Sequence, residues 1–227
     1  MFKTILTGLL MLTQALAYGQ LNDNFADGNF TQAPEWSGDA SKFEIAAEVL
    51  HLSDATASGT AYLSTPSEAV ADAVWECSVE ISENPSSSNF TRIYLMADRA
   101  DLSGEVDGYF ISIGGGEDDV SLYRQDGSST TKIIDGTDGR VDTKPVQVTV
   151  RTTRDAQGNW QLFSQTITES TFYSEGAAQD DIHIKSDYFG VYCQYTSTRK
   201  DAFYFDNFSV SGNPQPEPPA PVDPAKW

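Results

Sequence analysis

Apolar residues recur at every second position through most of this chain, and this period limits the possible folds more than any other feature. Residues 108–136 show it clearly, because strand-like runs there are separated by turn signals at residues 114–119 and 126–129. Asp and Gly in such turns provide local hydrogen bonds and tolerate a positive φ, which tight reversals need. Short alternating runs between such turns are typical of β-strands joined as a meander, and they leave no room for a helix.

The same pattern continues through residues 21–212. Residues 74–81 alternate strictly, with Trp75 and Cys77 on the apolar face and Glu76 on the polar face. No window carries a sustained apolar period of 3.6 residues, as an amphipathic helix would. The sequence therefore predicts an all-β domain in which two antiparallel sheets stack as a jelly-roll sandwich. Further strands are predicted at residues 21–25, 42–45, 49–52, 60–64, 92–96, 145–151, 160–163, 188–195 and 202–210.

Both ends of the chain differ from this central domain. Residues 1–20 combine an early lysine, an apolar run and small residues, which is typical of a secretory signal peptide and is short for a membrane span. Residues 213–227 hold six of the ten prolines, which predicts an extended linker or tail that a downstream domain could follow. We therefore predict a secreted or cell-surface protein without membrane insertion.

The charge of the chain restricts its partners. It carries 33 acidic and 14 basic residues, a formal net charge of -19. Nucleic-acid binding depends on cations that neutralise phosphates, so this balance argues against DNA or RNA as a partner. Anionic membrane surfaces are disfavoured for the same reason. Neutral polymers, cations and basic proteins stay compatible with such an acidic surface.

Three segments of the sequence are distinctive: NPSSSNFTRIYLMADRADLSG at residues 84–104, GYFISIGGGEDDVSLYRQDGSSTTKIIDGTDGR at residues 108–140, and YFGVYCQYTSTRKDAFYFDNFSVSG at residues 188–212. They resemble the N-terminal jelly-roll region of secreted Bacteroidetes proteins, which often carry a lamin tail domain after a proline-rich linker. That region is similar in layout to the concanavalin A-like lectin and glucanase sandwiches. The resemblance implies an extracellular or cell-surface module and assigns no catalytic residue.

Laminarinase-type enzymes of this layout use a Glu-x-Asp-x-x-Glu strand, in which two carboxylates flank the scissile bond. Glu105 and Asp107 match the first two positions of that pattern, but Phe110 stands where the second glutamate is needed. The sequence therefore predicts no catalytic residues. A polysaccharide-degrading enzyme of the glucanase type stays as one alternative function.

Asp23 and Asp206 form the candidate metal site. Both belong to an Asp-Asn-Phe triplet, one on the first predicted strand and one on the last, and the two-residue period places both side chains inward. A buried carboxylate needs a partner, and the two ends of a jelly roll commonly lie side by side. We predict a structural Ca²⁺ ion at this pair, with hydrogen bonding to loop amides as the alternative.

Cys77 and Cys193 both lie on the apolar faces of their strands. In a secreted chain an even number of cysteines permits one disulfide. Buried free thiols are also ordinary core residues. Both alternatives therefore remain open.

Aromatic side chains suggest a ligand-binding face, because aromatic rings stack on sugars and nearby polar groups fix their orientation. Several lie opposite the apolar positions of their strands, although they could instead pack against one another. We predict a secreted, non-catalytic binding or adhesion module for a polysaccharide or glycan, with a structural cell-surface spacer that has no small ligand as a second alternative. The candidate ligand-binding residues are Tyr94, Tyr123, Tyr192, Arg92 and Arg124.

Overall fold

The structure, a computed structural model, describes residues 21–215. The predicted signal peptide and residues 216–227 of the proline-rich segment lie outside the described residues. Within residues 21–215 there is one 3-10 turn at Ala40–Lys42 and no α-helix, so no described helix is long and apolar enough to cross a membrane. The strands are β1 (Leu21–Asp23), β2 (Ser37–Gly38), β3 (Phe43–Ala46), β4 (Val49–Leu52), β5 (Gly59–Pro66), β6 (Ala71–Ile81), β7 (Phe90–Ala97), β8 (Val106–Gly114), β9 (Asp119–Gly127), β10 (Ser129–Ile134), β11 (Val146–Arg154), β12 (Asn159–Thr166), β13 (Tyr173–Gln179), β14 (Tyr188–Tyr195) and β15 (Phe203–Asn213).

These strands form two antiparallel sheets that pack face to face. The first sheet has the order β13-β12-β11-β6-β15-β4-β3, and β1 also pairs with β15. The second sheet has the order β10-β9-β8-β7-β14-β5-β2. The chain passes from one sheet to the other several times, as between β6 and β7, which is the connectivity of a jelly roll. The predicted all-β, two-sheet antiparallel, concanavalin A-like sandwich is confirmed, and the predicted meander corresponds to β8, β9 and β10.

One continuous core fills the space between the sheets. Within the first sheet, Trp75 of β6 stacks on Trp160 of β12 with ring centroids 5.6 Å apart. Across the sandwich, Phe189 of β14 packs edge to face against Phe208 of β15 at 5.5 Å. Such aromatic pairs add about 0.5–1.5 kcal/mol each to the stabilisation from burial alone. The alternating apolar positions of the sequence therefore supply the inner faces of both sheets.

Cys77 of β6 and Cys193 of β14 lie on opposite sheets, and both are buried free thiols. The disulfide that the sequence left open is therefore not formed in this structure. Burial raises the pKa of both thiols. A thiol in such an environment is inert, because the thiolate is the reactive form.

We expect Ellman's reagent to leave both cysteines of the folded protein unmodified and to label both after unfolding in guanidinium chloride without reductant. The number of labelled thiols is counted by absorbance and confirmed by mass spectrometry. Labelling that appears in the unfolded protein only after a reductant is added would show a disulfide and contradict the two free thiols.

Candidate ligand-binding site

The outer face of the second sheet carries an aromatic cluster of its own, separate from the core. One part of this face is covered by the loop between β7 and β8, residues 98–105. Leu102 of that loop is 1% exposed, and the backbone carbonyl of Ala100 accepts a hydrogen bond of 2.8 Å from Ser64 Oγ. The rest of the outer face is open, and the candidate site lies there.

Strand register brings three aromatic rings into one row across this face. Tyr94 of β7 lies opposite Phe110 of β8, and Phe110 lies opposite Tyr123 of β9. The ring centroids are 5.2 Å apart in both pairs. Tyr94 and Phe110 are buried and Tyr123 is half-buried, so the row becomes more accessible toward β9.

A cavity of about 440 Å³ lies beside this aromatic row, and we call it the outer-face pocket. It forms because the neighbouring outward positions of β8 are the small residues Ser112 and Gly114. Arg92 lies opposite Ser112 on β7, and Phe90 lies opposite Gly114. Its lining includes Phe90, Arg92, Phe110, Ser112, Tyr123 and Thr130.

The turn between β8 and β9 forms one rim of the outer-face pocket. Gly114 begins it with a φ of 86°, and Gly115 continues it with a φ of 98°, values that L-residues with a side chain rarely adopt. A Cβ atom at residue 114 would also lie 2.5 Å from Cβ of Pro85 in the loop before β7. The glycine run therefore lets the two loops close around the pocket.

Arg92 is surrounded by aromatic rings. Its guanidinium carbon lies 4.5 Å from the ring centroid of Phe110, 5.4 Å from that of Tyr192 and 5.5 Å from that of Phe90. Its Nη1 donates a long hydrogen bond of 3.5 Å to the Tyr94 hydroxyl. Cation–π contacts of this kind hold a guanidinium in place while leaving most of its N–H donors free.

Of the five predicted ligand-binding residues, Arg92 and Tyr123 line the outer-face pocket. Tyr94 and Tyr192 lie on the same face but are only 1% and 8% exposed. Burial raises the pKa of both hydroxyls, and the Tyr94 hydroxyl donates a 2.8 Å hydrogen bond to Oε1 of Gln125. These two tyrosines therefore pack beside the pocket and do not belong to its lining.

Arg124 does not belong to the pocket. It alternates with Tyr123 on β9, so it points to the opposite side of the sheet and forms ion pairs with Asp126 and Asp180. Sequence reasoning also missed pocket residues. Phe90 and Ser112 follow the same period-two rule as Tyr123, but only the register between β7 and β8 brings them to one place.

Three carboxylates lie at the rim of the pocket, and their oxygens are within 4.8 Å of one another: Glu117, Asp119 and Asp135. The ammonium of Lys132 lies among them, at 2.5 Å from Glu117, 3.3 Å from Asp119 and 2.5 Å from Asp135. Burial alone would lower the pKa of Lys132, but its hydrogen bonds to Asp135 and Glu117 raise it. This group carries its own cation and does not fit a calcium ion.

The two Asp-Asn-Phe triplets do meet, as predicted. Asp23 of β1 lies opposite Phe208 of β15, and the Phe25 and Phe208 rings contact each other edge to face at 5.9 Å. Asp23 accepts hydrogen bonds from the Phe25 backbone N–H at 2.9 Å and from Trp36 Nε1 at 2.8 Å. This corresponds to the predicted alternative in which the carboxylate is satisfied by nearby donors.

The prediction that Asp206 points inward is wrong. The ladder between β15 and β6 shifts register after Asp206, and Asn207 has a φ of 53°. This bulge turns Phe208 inward and leaves Asp206 on the outer face of the first sheet. There its carboxylate accepts hydrogen bonds from the backbone N–H and from the side-chain amide of Asn207. Burial raises the pKa of Asp206, and the nearby Asp23 raises it further. Two hydrogen-bonded carboxylates do not make up the roughly six to eight oxygens that calcium takes.

The carboxylates of the glucanase-type pattern lie outside the outer-face pocket. Glu105 is exposed in the loop before β8, and Asp107 is exposed at the start of β8, where its Oδ1 accepts a 2.8 Å hydrogen bond from the Gly127 N–H. Phe110, at the position of the missing glutamate, is 2% exposed in the aromatic row. This position therefore serves packing.

A second and larger cavity, of about 590 Å³, crosses the outer face of the first sheet. Its lining includes Glu80, Gln147, Tyr204 and Asp206. His51 stacks on the ring of Tyr204 at 4.2 Å with parallel planes, so one face of that ring is already covered. The lining of this cavity also includes Phe205 and apolar residues such as Val49 and Ile167, but no cation of the described chain. The outer-face pocket combines several rings with a guanidinium.

No protein-family model matches the sequence, and no curated protein matches it. Among solved structures, the fold is similar to the exoplasmic/lumenal domain of VIP36 in its Ca²⁺- and mannose-bound form, with a TM-score of 0.61 and 11% identity over 92% of this chain and 94% of that chain. It is also similar to the potassium-bound carbohydrate recognition domain of Emp46p, with a TM-score of 0.60 and 15% identity over 86% and 97% of the two chains. The carbohydrate-binding module CBM66 from Bacillus subtilis is similar with a TM-score of 0.56 and 13% identity, over 78% of this chain and 95% of that chain. These likenesses show a shared sandwich fold.

Proposed function

We propose that this protein is a secreted, non-catalytic carbohydrate-binding module and that the outer-face pocket is its binding site. The observation that carries the proposal is the pocket itself: half-buried aromatic rings, hydroxyl groups and a guanidinium line one cavity on an open sheet face. Ligand sites commonly combine apolar walls with a few polar groups that fix orientation. Sugars present both apolar C–H faces and hydroxyl groups, so they match such a lining.

The structural neighbours support the carbohydrate class. The VIP36 domain was solved with mannose, and the names of the Emp46p domain and CBM66 record carbohydrate recognition and carbohydrate binding. All share the sandwich fold at low sequence identity. The residues of this chain decide the ligand, and the outer-face pocket combines aromatic rings, hydroxyl groups and a guanidinium in one lining.

We expect Tyr123→Ala to weaken binding to the best ligand of a polysaccharide panel by at least about tenfold, because aromatic side chains dominate the energy of such sites. The panel contains mannan, levan, β-glucan, xylan and polygalacturonate. Binding is first detected by affinity electrophoresis and then measured by isothermal titration calorimetry with oligosaccharides of the best polymer. Tyr123 is half-buried at the rim, so its removal is not expected to unfold the domain.

Tyr204→Ala is the matched control, because it removes a half-buried tyrosine from the cavity on the other sheet. Binding that survives Tyr204→Ala and is weakened by Tyr123→Ala supports the outer-face pocket. The reverse result would move the site to the first sheet. No binding to any polymer of the panel would contradict the carbohydrate proposal and favour a cell-surface spacer.

Structural calcium remains a prediction. The structural neighbours include calcium-bound forms, but neither the pair Asp23 and Asp206 nor the three carboxylates around Lys132 fit the ion. The melting temperature measured in calcium chloride and again in EDTA decides it. Equal values would argue against a structural ion.

A further inference from the structure

We propose that the outer-face pocket selects acidic sugars and that the guanidinium of Arg92 binds the anionic group of the ligand, a uronate carboxylate or a sulfate ester. This inference rests on the proposed function and adds the chemical class of the ligand. The feature that points to it is a guanidinium without an acidic partner, placed in a ligand-sized cavity of a strongly acidic protein.

Most lysines and arginines of the described chain are paired with a carboxylate. Nine of the twelve Lys and Arg residues within residues 21–215 have a carboxylate oxygen within 4.0 Å. The three exceptions within that range are Arg92, Arg154 and Lys200. Arg154 is buried and donates to the backbone carbonyls of Val70 and Asp155, and Lys200 donates to that of Ala55.

Arg92 differs from the other two exceptions because it lines a cavity. Unpaired buried nitrogens also occur in Arg154, at Nε and Nη2. Within the described residues the Arg92 side chain donates one long hydrogen bond, to the Tyr94 hydroxyl, and its buried Nε has no hydrogen-bond partner. This Nε is covered by the protein, so a ligand acceptor would instead bind Nη2, which within the described chain has no hydrogen-bond partner and is not buried. The chain carries 33 acidic residues, yet none in residues 21–215 pairs with this guanidinium.

The aromatic rings around Arg92 prepare it for an anion. Phe110, Tyr192 and Phe90 contact the guanidinium, which limits its side-chain motion before a ligand arrives. A planar guanidinium donates two parallel hydrogen bonds to a carboxylate or a sulfate, which is stronger and more directional than a bond to a sugar hydroxyl. The same pocket provides Ser112 and Tyr123 for the sugar ring.

The described acidic residues of the pocket form no ion pair with Arg92. Glu117 and Asp119 line the rim, but Lys132 lies between them and forms ion pairs with both. One lysine does not neutralise both carboxylates, so the rim keeps a net negative charge. Within the described chain Arg92 is the cation of the pocket lining that has no carboxylate partner. The net charge of -19 opposes the approach of a long polyanion, so short acidic oligosaccharides are the appropriate probes.

The test compares two acidic oligosaccharides with the neutral methyl ester of one of them. Oligogalacturonate, the same oligomer after methyl esterification, and a sulfated galactan oligomer are titrated into the full protein by calorimetry. We expect at least one acidic oligomer to bind about tenfold to a hundredfold more tightly than the neutral ester, the range typical of a charge-assisted hydrogen bond. The preferred anion, carboxylate or sulfate, identifies the source of the negative group.

Two variants connect the preference to Arg92. Arg92→Gln is expected to abolish the difference between the acidic oligomer and its ester, and Arg92→Lys to keep part of it, because a lysine retains the charge but not the paired hydrogen bonds. Circular dichroism checks that both variants fold.

The outcomes separate this inference from the proposed function. If acidic and neutral oligomers bind equally well while Tyr123→Ala still weakens both, that result would overturn the acidic preference and leave a neutral carbohydrate site. An acidic preference that survives Arg92→Gln would overturn the role of Arg92. Failure of every oligosaccharide, charged or neutral, would overturn both.

Discussion

Replacing Gly108 by alanine is expected to destabilise the protein by about 3 kcal/mol or more, at the upper end of the usual range for overpacking a core. A Cβ atom at residue 108 would lie 1.9 Å from the backbone oxygen of Met96 and 2.8 Å from its carbonyl carbon. The contact exists because the ladder between β7 and β8 shifts register between Tyr94 and Met96, where the two backbones approach. Backbone atoms cannot rotate away as a side chain does, so the strands must separate.

The expected loss corresponds to a fall in melting temperature of about 6–12 °C for a domain of this size, measured by differential scanning calorimetry. Gly104→Ala is the matched control, because residue 104 lies in the loop before β8 and a Cβ atom there meets nothing within 4 Å. It should change the free energy of unfolding by no more than about 0.5 kcal/mol. Equal melting temperatures for the two variants would contradict the close approach of β7 and β8, the strands that carry Arg92 and Phe110.

The sequence predicts the faces of the strands well, because the period of two is a property of the backbone itself. It places Tyr94, Tyr123 and Tyr192 together on one outer face, as the structure has them. It does not predict how deeply each ring is buried. That depends on the loop of residues 98–105, which packs Leu102 over one part of the face, and loop packing leaves no periodic signal.

The prediction failed where one residue breaks the period. The inward orientation of Asp206 was wrong because the bulge at Asn207 adds a residue to β15 and reverses the alternation. Strand β13 was missed because its residues, YSEGAAQ, are mostly small and polar and do not alternate. It is an edge strand that pairs with β12 alone, so few of its side chains have to be apolar to pack in the core.

The pocket could not be read from the sequence, because it depends on register between strands. Arg92, Ser112 and Ser121 lie in one row across β7, β8 and β9, and Tyr192 extends that row on β14. In this row, β7, β8 and β9 follow one another in the chain, so their pairing is local. Pairing of β14 with β7 joins residues about a hundred positions apart, and local pattern analysis does not reach that far.

The other large effect is expected at Arg140, which joins the loop after β10 to the edge of the first sheet. Its Nη1 donates to Glu169 at 2.9 Å, and its Nε donates to Glu175 at 3.0 Å and to Ser164 Oγ at 2.7 Å. The Glu175 side chain is 0% exposed. The same loop donates backbone hydrogen bonds of 2.9 Å from Gly139 and Val141 to the β8–β9 turn, so it supports the rim of the outer-face pocket.

Arg140→Met is expected to cost about 3 kcal/mol or more at neutral pH, because it leaves the buried Glu175 carboxylate without its cation. The pH dependence has a definite sign. The hydrogen bond from Arg140 is the main cause that lowers the pKa of Glu169 from 4.5 to about 2, so this contribution is complete above pH 4.5 and is lost as the pH falls toward 2. Urea unfolding at several pH values should therefore show a difference in the free energy of unfolding between wild type and variant that is constant near neutrality and becomes smaller in acid.

Arg99→Met is the matched control. It removes an exposed ion pair with Asp98 and should cost no more than about 1 kcal/mol. The role of Arg140 would be contradicted if Arg140→Met lowered the free energy of unfolding as little as Arg99→Met does, or if its effect grew in acid.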